Sequence, residues 1–147
     1  MKIYIASDHA GFRLKSELIN FLQHQKDVPI DEIKDFGTNS ENSMDYPDVV
    51  HPLCKAMIDQ NHTYGILICG SGNGVCMTAN KYLHIRAALC WNEEIAILAR
   101  KHNDANVLCL PARFINMETA QRILLQFLSS EFEGGRHENR VKKISCL

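Results

Sequence analysis

From Tyr64 to Cys69 the chain reads Tyr-Gly-Ile-Leu-Ile-Cys, with no charged position in the run. A strand with one wet face alternates apolar and polar residues. A run without that alternation must be covered on both faces, as in a parallel sheet between two helical layers. Gly70-Ser71-Gly72-Asn73-Gly74 follows at once. Its glycines end the strand in a turn that leads into the next helix. Shorter β-rich runs repeat the theme at Lys2–Ala6, Ile30–Phe36, Ile85–Cys90 and Val107–Leu110. Between them lie helical stripes: Leu14, Leu18, Phe21 and Leu22; Ile95, Leu98, Ala99 and His102; Ala120, Ile123, Leu124, Phe127 and Leu128, with Asn116 as cap. Asp45-Tyr46-Pro47-Asp48 reads as a helix opening, which Pro52 should kink or delay. This alternation predicts an α/β chain: one domain over residues 1–147 with a doubly wound, three-layer arrangement around a five-stranded parallel sheet.

Composition narrows the function classes. A net charge of −1 leaves no basic excess for nucleic acid. The longest apolar runs are too short to cross a bilayer, so no membrane is expected. Residues 1–8 turn polar after four apolar positions, unlike a secretory leader, and the expected location is cytoplasmic. The six cysteines include no C-x-x-C pair, which excludes a zinc knuckle or thioredoxin motif, and they are read as free thiols.

In open parallel sheets, ligands bind beyond the carboxyl ends of the strands. The segments there are Ser7-Asp8-His9-Ala10-Gly11, Gly37-Thr38, Cys69 to Gly74, Cys90-Trp91-Asn92 and Pro111-Ala112-Arg113. The glycine loop can aim backbone N–H groups at an anion or oxyanion. Val75 breaks the G-x-G-x-x-G pattern, and no Gly-Lys-Ser/Thr follows, so a dinucleotide or NTP loop is disfavoured. Val75 also stands where a C-x5-R phosphatase loop needs arginine. Cys69 is then either a packed small hydrophobe or a general base, since the thiolate is the form that removes protons. His102 sits on an apolar stripe but opens the polar junction His102-Asn103-Asp104, so it is either a core residue or a group reaching a cleft. Asp8 is a helix cap or, with His9, part of the binding edge. Arg136 and Arg140 stand at i and i+4; on a helix their guanidinium groups share a face, ~5–6 Å apart at Cβ. They are a phosphate clamp or a solvated basic tail.

Asp8-His9-Ala10-Gly11, Asp45-Tyr46-Pro47, Cys69-Gly70-Ser71-Gly72-Asn73-Gly74, Ala79-Asn80-Lys81, His102-Asn103-Asp104 and Glu133-Gly134-Gly135-Arg136-His137 occur in this order. The set resembles the type B ribose-5-phosphate isomerases and the wider group with galactose-6-phosphate and allose-6-phosphate isomerases, over nearly the whole chain. The resemblance implies a Rossmann-like fold without nucleotide and a homodimer or dimer of dimers with shared sites. It implies interconversion of ribose 5-phosphate and ribulose 5-phosphate in the non-oxidative pentose phosphate pathway, with no metal or organic cofactor. By the same resemblance Cys69 is the base, Ser71 helps stabilise the intermediate and His102 assists ring opening. Asp8, His9, Tyr46, Gly70, Ser71, Gly72, Asn73, Gly74, Asn103, Arg113, Arg136 and Arg140 become substrate contacts. The segment after Glu133 would carry the phosphate-binding arginines and dimer contacts. Two alternatives stand beside this: a hexose-phosphate isomerase, and a non-catalytic phosphosugar-binding regulatory subunit.

Overall fold

The computed structural model describes residues 1–146. Five strands form one parallel sheet: β1 (Lys2–Ser7), β2 (Glu32–Asp35), β3 (Thr63–Cys69), β4 (Ala87–Leu89) and β5 (Val107–Pro111), in the order β2-β1-β3-β5-β4. Six α-helices accompany them: α1 (Phe12–His24), α2 (Pro47–Ala56), α3 (Asn73–Ala79), α4 (Glu93–Asn103), α5 (Met117–Ser129) and α6 (Arg136–Lys142), with a 3-10 turn at His9–Gly11. Right-handed crossovers settle which face each helix covers. The steps β1→β2 and β4→β5 run one way along the sheet and put α1 and α4 on one face. The steps β2→β3 and β3→β4 run the other way and put α2 and α3 on the opposite face.

The two cores agree with this geometry. Ile3, Ile5, Ile66, Ile68, Leu108 and Leu110 pack with Leu18, Ala99 and Phe127 from α1, α4 and α5. Tyr4, Ala6, Leu67, Cys69, Val107 and Cys109 pack with Val50 and Leu53 of α2 and Val75 of α3. The unbroken apolar run of β3 is thus a strand with a core on each side. Its period of two sends Leu67 and Cys69 toward α2 and α3.

The outer strands are shorter than their sequence runs. At β4, Arg86 N–H donates to Asn106 Oδ1 at 2.7 Å and Ala87 N–H to Asn80 Oδ1 at 2.9 Å, so polar side chains take over where the ladder was expected to begin. Pro52 does not delay α2, which runs from Pro47 at its first turn through Ala56 with Pro52 inside it. Pro52 and Asp48, whose carbonyl loses its partner, both face solvent, while Val49, Val50, Leu53 and Cys54 are buried. The freed carbonyl can therefore bond water. All six cysteines are free. Among the described residues, no helix is long and apolar enough to cross a membrane.

Candidate active site

Strand register aligns three carboxyl ends. Ser7 stands opposite Ile68, and Cys69 opposite Pro111. The loops beyond them close on one another: Asp8 N–H donates to Ile68 O at 3.1 Å, Ala112 N–H to Cys69 O at 2.9 Å and Arg113 N–H to Gly70 O at 3.0 Å. Between them opens a cleft of about 440 Å³ lined by Asp8, His9, Ala10, Tyr46, Cys69, Gly70, Ser71, Gly74, Arg113 and Phe114. It lies where the sheet's winding reverses, between β1 and β3. A larger open groove, about 640 Å³, runs between α1 and α5, but no strand end opens into it.

At the cleft floor the Cys69 sulfur accepts a hydrogen bond from Gly72 N–H at 3.1 Å. Gly72 has φ +74°, and a Cβ there would meet Leu89 Cδ1 at 2.4 Å, so only glycine lets the loop turn this amide back to the sulfur. Burial pushes Cys54 and Cys90 up to about 12 and Cys109 well above the ordinary thiol value. Those three are inert packing groups. Cys76 is lowered, first by a hydrogen bond with Cys109, but it lies beyond the cleft lining. Gly74 leaves room for the Tyr46 ring, whose atoms would sit 2.5–2.9 Å from a Cβ at that position. The first turn of α2 is thereby seated against the glycine loop.

Asp8 accepts from Gly11 N–H at 3.1 Å, capping the 3-10 turn, and it also lines the cleft. His9 Nδ1 accepts from Met44 N–H at 3.2 Å. Ser71 Oγ accepts from Asn73 N–H at 3.3 Å and lies exposed at the mouth. Gly72 and Asn73 shape the loop from behind rather than line the cleft. Phe114, 76% exposed at the rim, was not anticipated; its position three residues after the end of β5 was the available signal.

His102, Asn103, Arg136 and Arg140 are not brought to this cleft within the chain. Helix α4 runs antiparallel to the strands, and its 11 residues span about 16 Å. Its last turn therefore lies near the amino ends of the strands, beside the start of β5. There His102 stacks on His137, ring centroids 4.1 Å apart and planes 10° from parallel. The Glu133 carboxylate lies 3.8 Å from His102 Nε2 and 3.9 Å from His137 Nε2. His137, 7% exposed, is the cluster member to which the sequence motif assigns no role. Its pKa is lowered, by burial first and then by His102, Arg136 and Arg140. Arg136 and Arg140 do lie on a helix, α6, packed against α4. The three side chains bring potential metal-ligand atoms within 4.8 Å of one another. Yet Arg136 Nε donates to His137 Nε2 at 3.5 Å, occupying a nitrogen that a cation would need. The field of neighbouring guanidinium groups favours an anion.

Comparison with known proteins gives the family. Residues 3–144 match the family model described as Ribose/Galactose Isomerase. A probable ribose-5-phosphate isomerase B of Mycoplasma pneumoniae is 48% identical over 143 residues, 97% of this chain and 91% of that protein. Ribose-5-phosphate isomerase B of Escherichia coli is 39% identical, over 99% of this chain and 95% of its own. The crystal structure of a ribose 5-phosphate isomerase from Thermotoga maritima superposes with a TM-score of 0.92 at 47% identity, covering 99% of this chain and 98% of that one. A Mycoplasma genitalium ribose-5-phosphate isomerase B with bound ribulose 5-phosphate gives 0.86 at 41% identity, covering 97% and 93%. Matched nearly end to end and by relatives approaching half identity, the chain belongs to the ribose/galactose isomerase family.

Proposed function

We propose that this chain is a cofactor-independent ribose-5-phosphate isomerase in which Cys69 is the general base. The observation that carries the reading is a thiol at a strand end, facing a sugar-sized cleft and bonded to the Gly72 amide, in a chain built like a relative that binds ribulose 5-phosphate. Ring opening exposes the C1 aldehyde. The Cys69 thiolate removes the C2 proton, the C–H electron pair becomes the C1–C2 double bond, and charge moves to O1. Protonation of O1 and loss of the O2 proton carry the enediol on, and delivery of a proton to C1 yields the ketose. The loop amides between Gly70 and Gly74 and the Ser71 hydroxyl stabilise the oxyanion; one such donor is worth about 3–4 kcal/mol.

The rest of the machinery comes from a second copy. His102 then assists ring opening, Asn103 contacts the sugar, and Arg136 and Arg140 of α6 grip the phosphate. Separation of these residues from Cys69 within one chain supports a homodimer or dimer of dimers in which the segment after Glu133 makes dimer contacts. Holding the phosphate keeps C2 against the sulfur. The test is turnover of ribose 5-phosphate by the purified chain, followed by deuterium uptake at C1 of the ketose in D2O. Faster turnover of allose 6-phosphate or galactose 6-phosphate would redirect the substrate assignment, and binding without exchange would point to a regulatory phosphosugar-binding subunit.

A further inference from the structure

Lys15 is 1% exposed, although lysine is among the residues least often buried. It lies on the buried stripe of α1, and its Nζ donates to Asp35 Oδ1 at 2.6 Å, Asp35 Oδ2 at 2.8 Å and Thr38 O at 2.7 Å. All three ammonium hydrogens are accounted for. Asp35, the last residue of β2, also accepts from Gly37 N–H at 2.8 Å. The segment so held is bonded twice to the end of β1: Ser7 N–H donates to Gly37 O and Thr38 N–H to Ser7 O, each at 2.7 Å. Ser7 is followed directly by Asp8 and His9.

The same loop returns to the cleft. Arg13 Nε pairs with Glu41 Oε1 at 2.5 Å, and three residues later Met44 N–H donates to His9 Nδ1. An amide can only donate, so Nδ1 is the bare nitrogen. In the neutral ring the proton therefore sits on Nε2, which becomes a hydrogen-bond donor. An unbroken series of hydrogen bonds and short chain segments thus joins a buried ammonium to His9 in the cleft lining.

We propose that Lys15 is a positioning residue: through Asp35 and the loop from Gly37 to Met44 it fixes the end of β1 and holds His9 as the Nε2–H tautomer facing the substrate. This deepens the proposed function and rests on its reading of Asp8 and His9 as substrate contacts. Lys15 itself touches no substrate. The Cys69 loop hangs from β3 and has further anchors of its own in the Gly72 amide and the loop after β5, so loss of Lys15 weakens sugar binding more than proton transfer.

The test uses the full-length Lys15→Met and Asp35→Asn variants with two readouts. In Lys15→Met the KM for ribose 5-phosphate rises about tenfold while kcat stays within about threefold, the pattern of lost ground-state binding. Asp35→Asn keeps an acceptor and shows a smaller rise in the same direction. In nitrogen-15 NMR of the ligand-free protein, His9 shows a bare Nδ1 and a protonated Nε2 in the parent. In Lys15→Met both nitrogens move toward tautomer-averaged values. A folded Lys15→Met with parental KM and parental His9 signals overturns the proposal, as does a raised KM with those signals unchanged. If Lys15→Met does not fold, Asp35→Asn is read by the same criteria. If the parent does not turn over ribose 5-phosphate, the functional reading fails, and the His9 signals alone decide the positioning role.

Discussion

The Cys69 cleft and the His102–His137 cluster are built in opposite ways. The cleft consists of loops at strand ends, and its chemistry comes from one sulfur, backbone amides and room made by glycine. The cluster consists of side chains from the last turn of α4, from α6 and from the loop before it: two stacked imidazoles, a carboxylate and two arginines. The first suits proton removal from carbon, where donors must be aimed at a developing charge. The second suits an anion already fully charged, which fixed guanidinium groups hold before any chemistry occurs. An aldose phosphate asks for both. One chain keeps them at opposite ends of the sheet, and the second copy proposed above would bring them together.

The comparison is broken most directly at the sulfur. Cys69→Ala should lower kcat by about 10²- to 10⁴-fold, the range for loss of a general base, while ribose 5-phosphate still binds. Near-normal C2 proton exchange in that variant would sink the thiol as base. Next in size is the anion end. Arg136→Ala should raise the KM for ribose 5-phosphate by about 10- to 100-fold, as for a lost charged hydrogen bond of about 1.5–3 kcal/mol, with little effect on unphosphorylated ribose. An equal loss for both sugars would contradict the clamp.

A third measurement sharpens the spatial claim. Cys69→Ala and His102→Ala chains, each inactive alone, are unfolded together and refolded as an equal mixture. Half the dimers then pair unlike chains, each with one intact composite site, and activity should return to about a quarter of the parental level. No recovery would place both residues in one chain's site. The smallest effect concerns His137, whose folded pKa is lowered by burial and by neighbouring His102, Arg136 and Arg140. A depressed imidazole is neutral when folded, so the unfolded chain binds more protons below the ordinary value near 6.5. Stability is therefore full above that pH and declines as pH falls toward the folded value. Thermal denaturation of His137→Gln between pH 7 and 5 should show a flatter decline than the parent; identical slopes would rule the assignment out.

Much of this was legible in one dimension. Leu18, Phe127 and the β3 run announce their environments because helical and strand periods are local properties, and the arginines at i and i+4 carry their spacing wherever the helix lies. The glycine loop was legible as a loop, but not the reason for each glycine. Gly72 turns an amide to sulfur beneath Leu89, and Gly74 receives the Tyr46 ring, contacts made by residues far apart in the chain. Pro52 does not delay its helix, and that too was hidden in one dimension, because its cost depends on which side of the helix faces water.

What the sequence determined alone was the alternation of buried strands and amphipathic helices, a thiol ahead of a glycine turn, and paired guanidinium groups near the end. Tertiary structure decided the strand order β2-β1-β3-β5-β4, the alignment of Ser7, Cys69 and Pro111 at one rim, and the exile of His102 to the far end of α4. The physical reason is that a residue's preference is set by its near neighbours. The pairing of strands and the enclosure of Lys15 are settled by burial and hydrogen bonding across the whole fold.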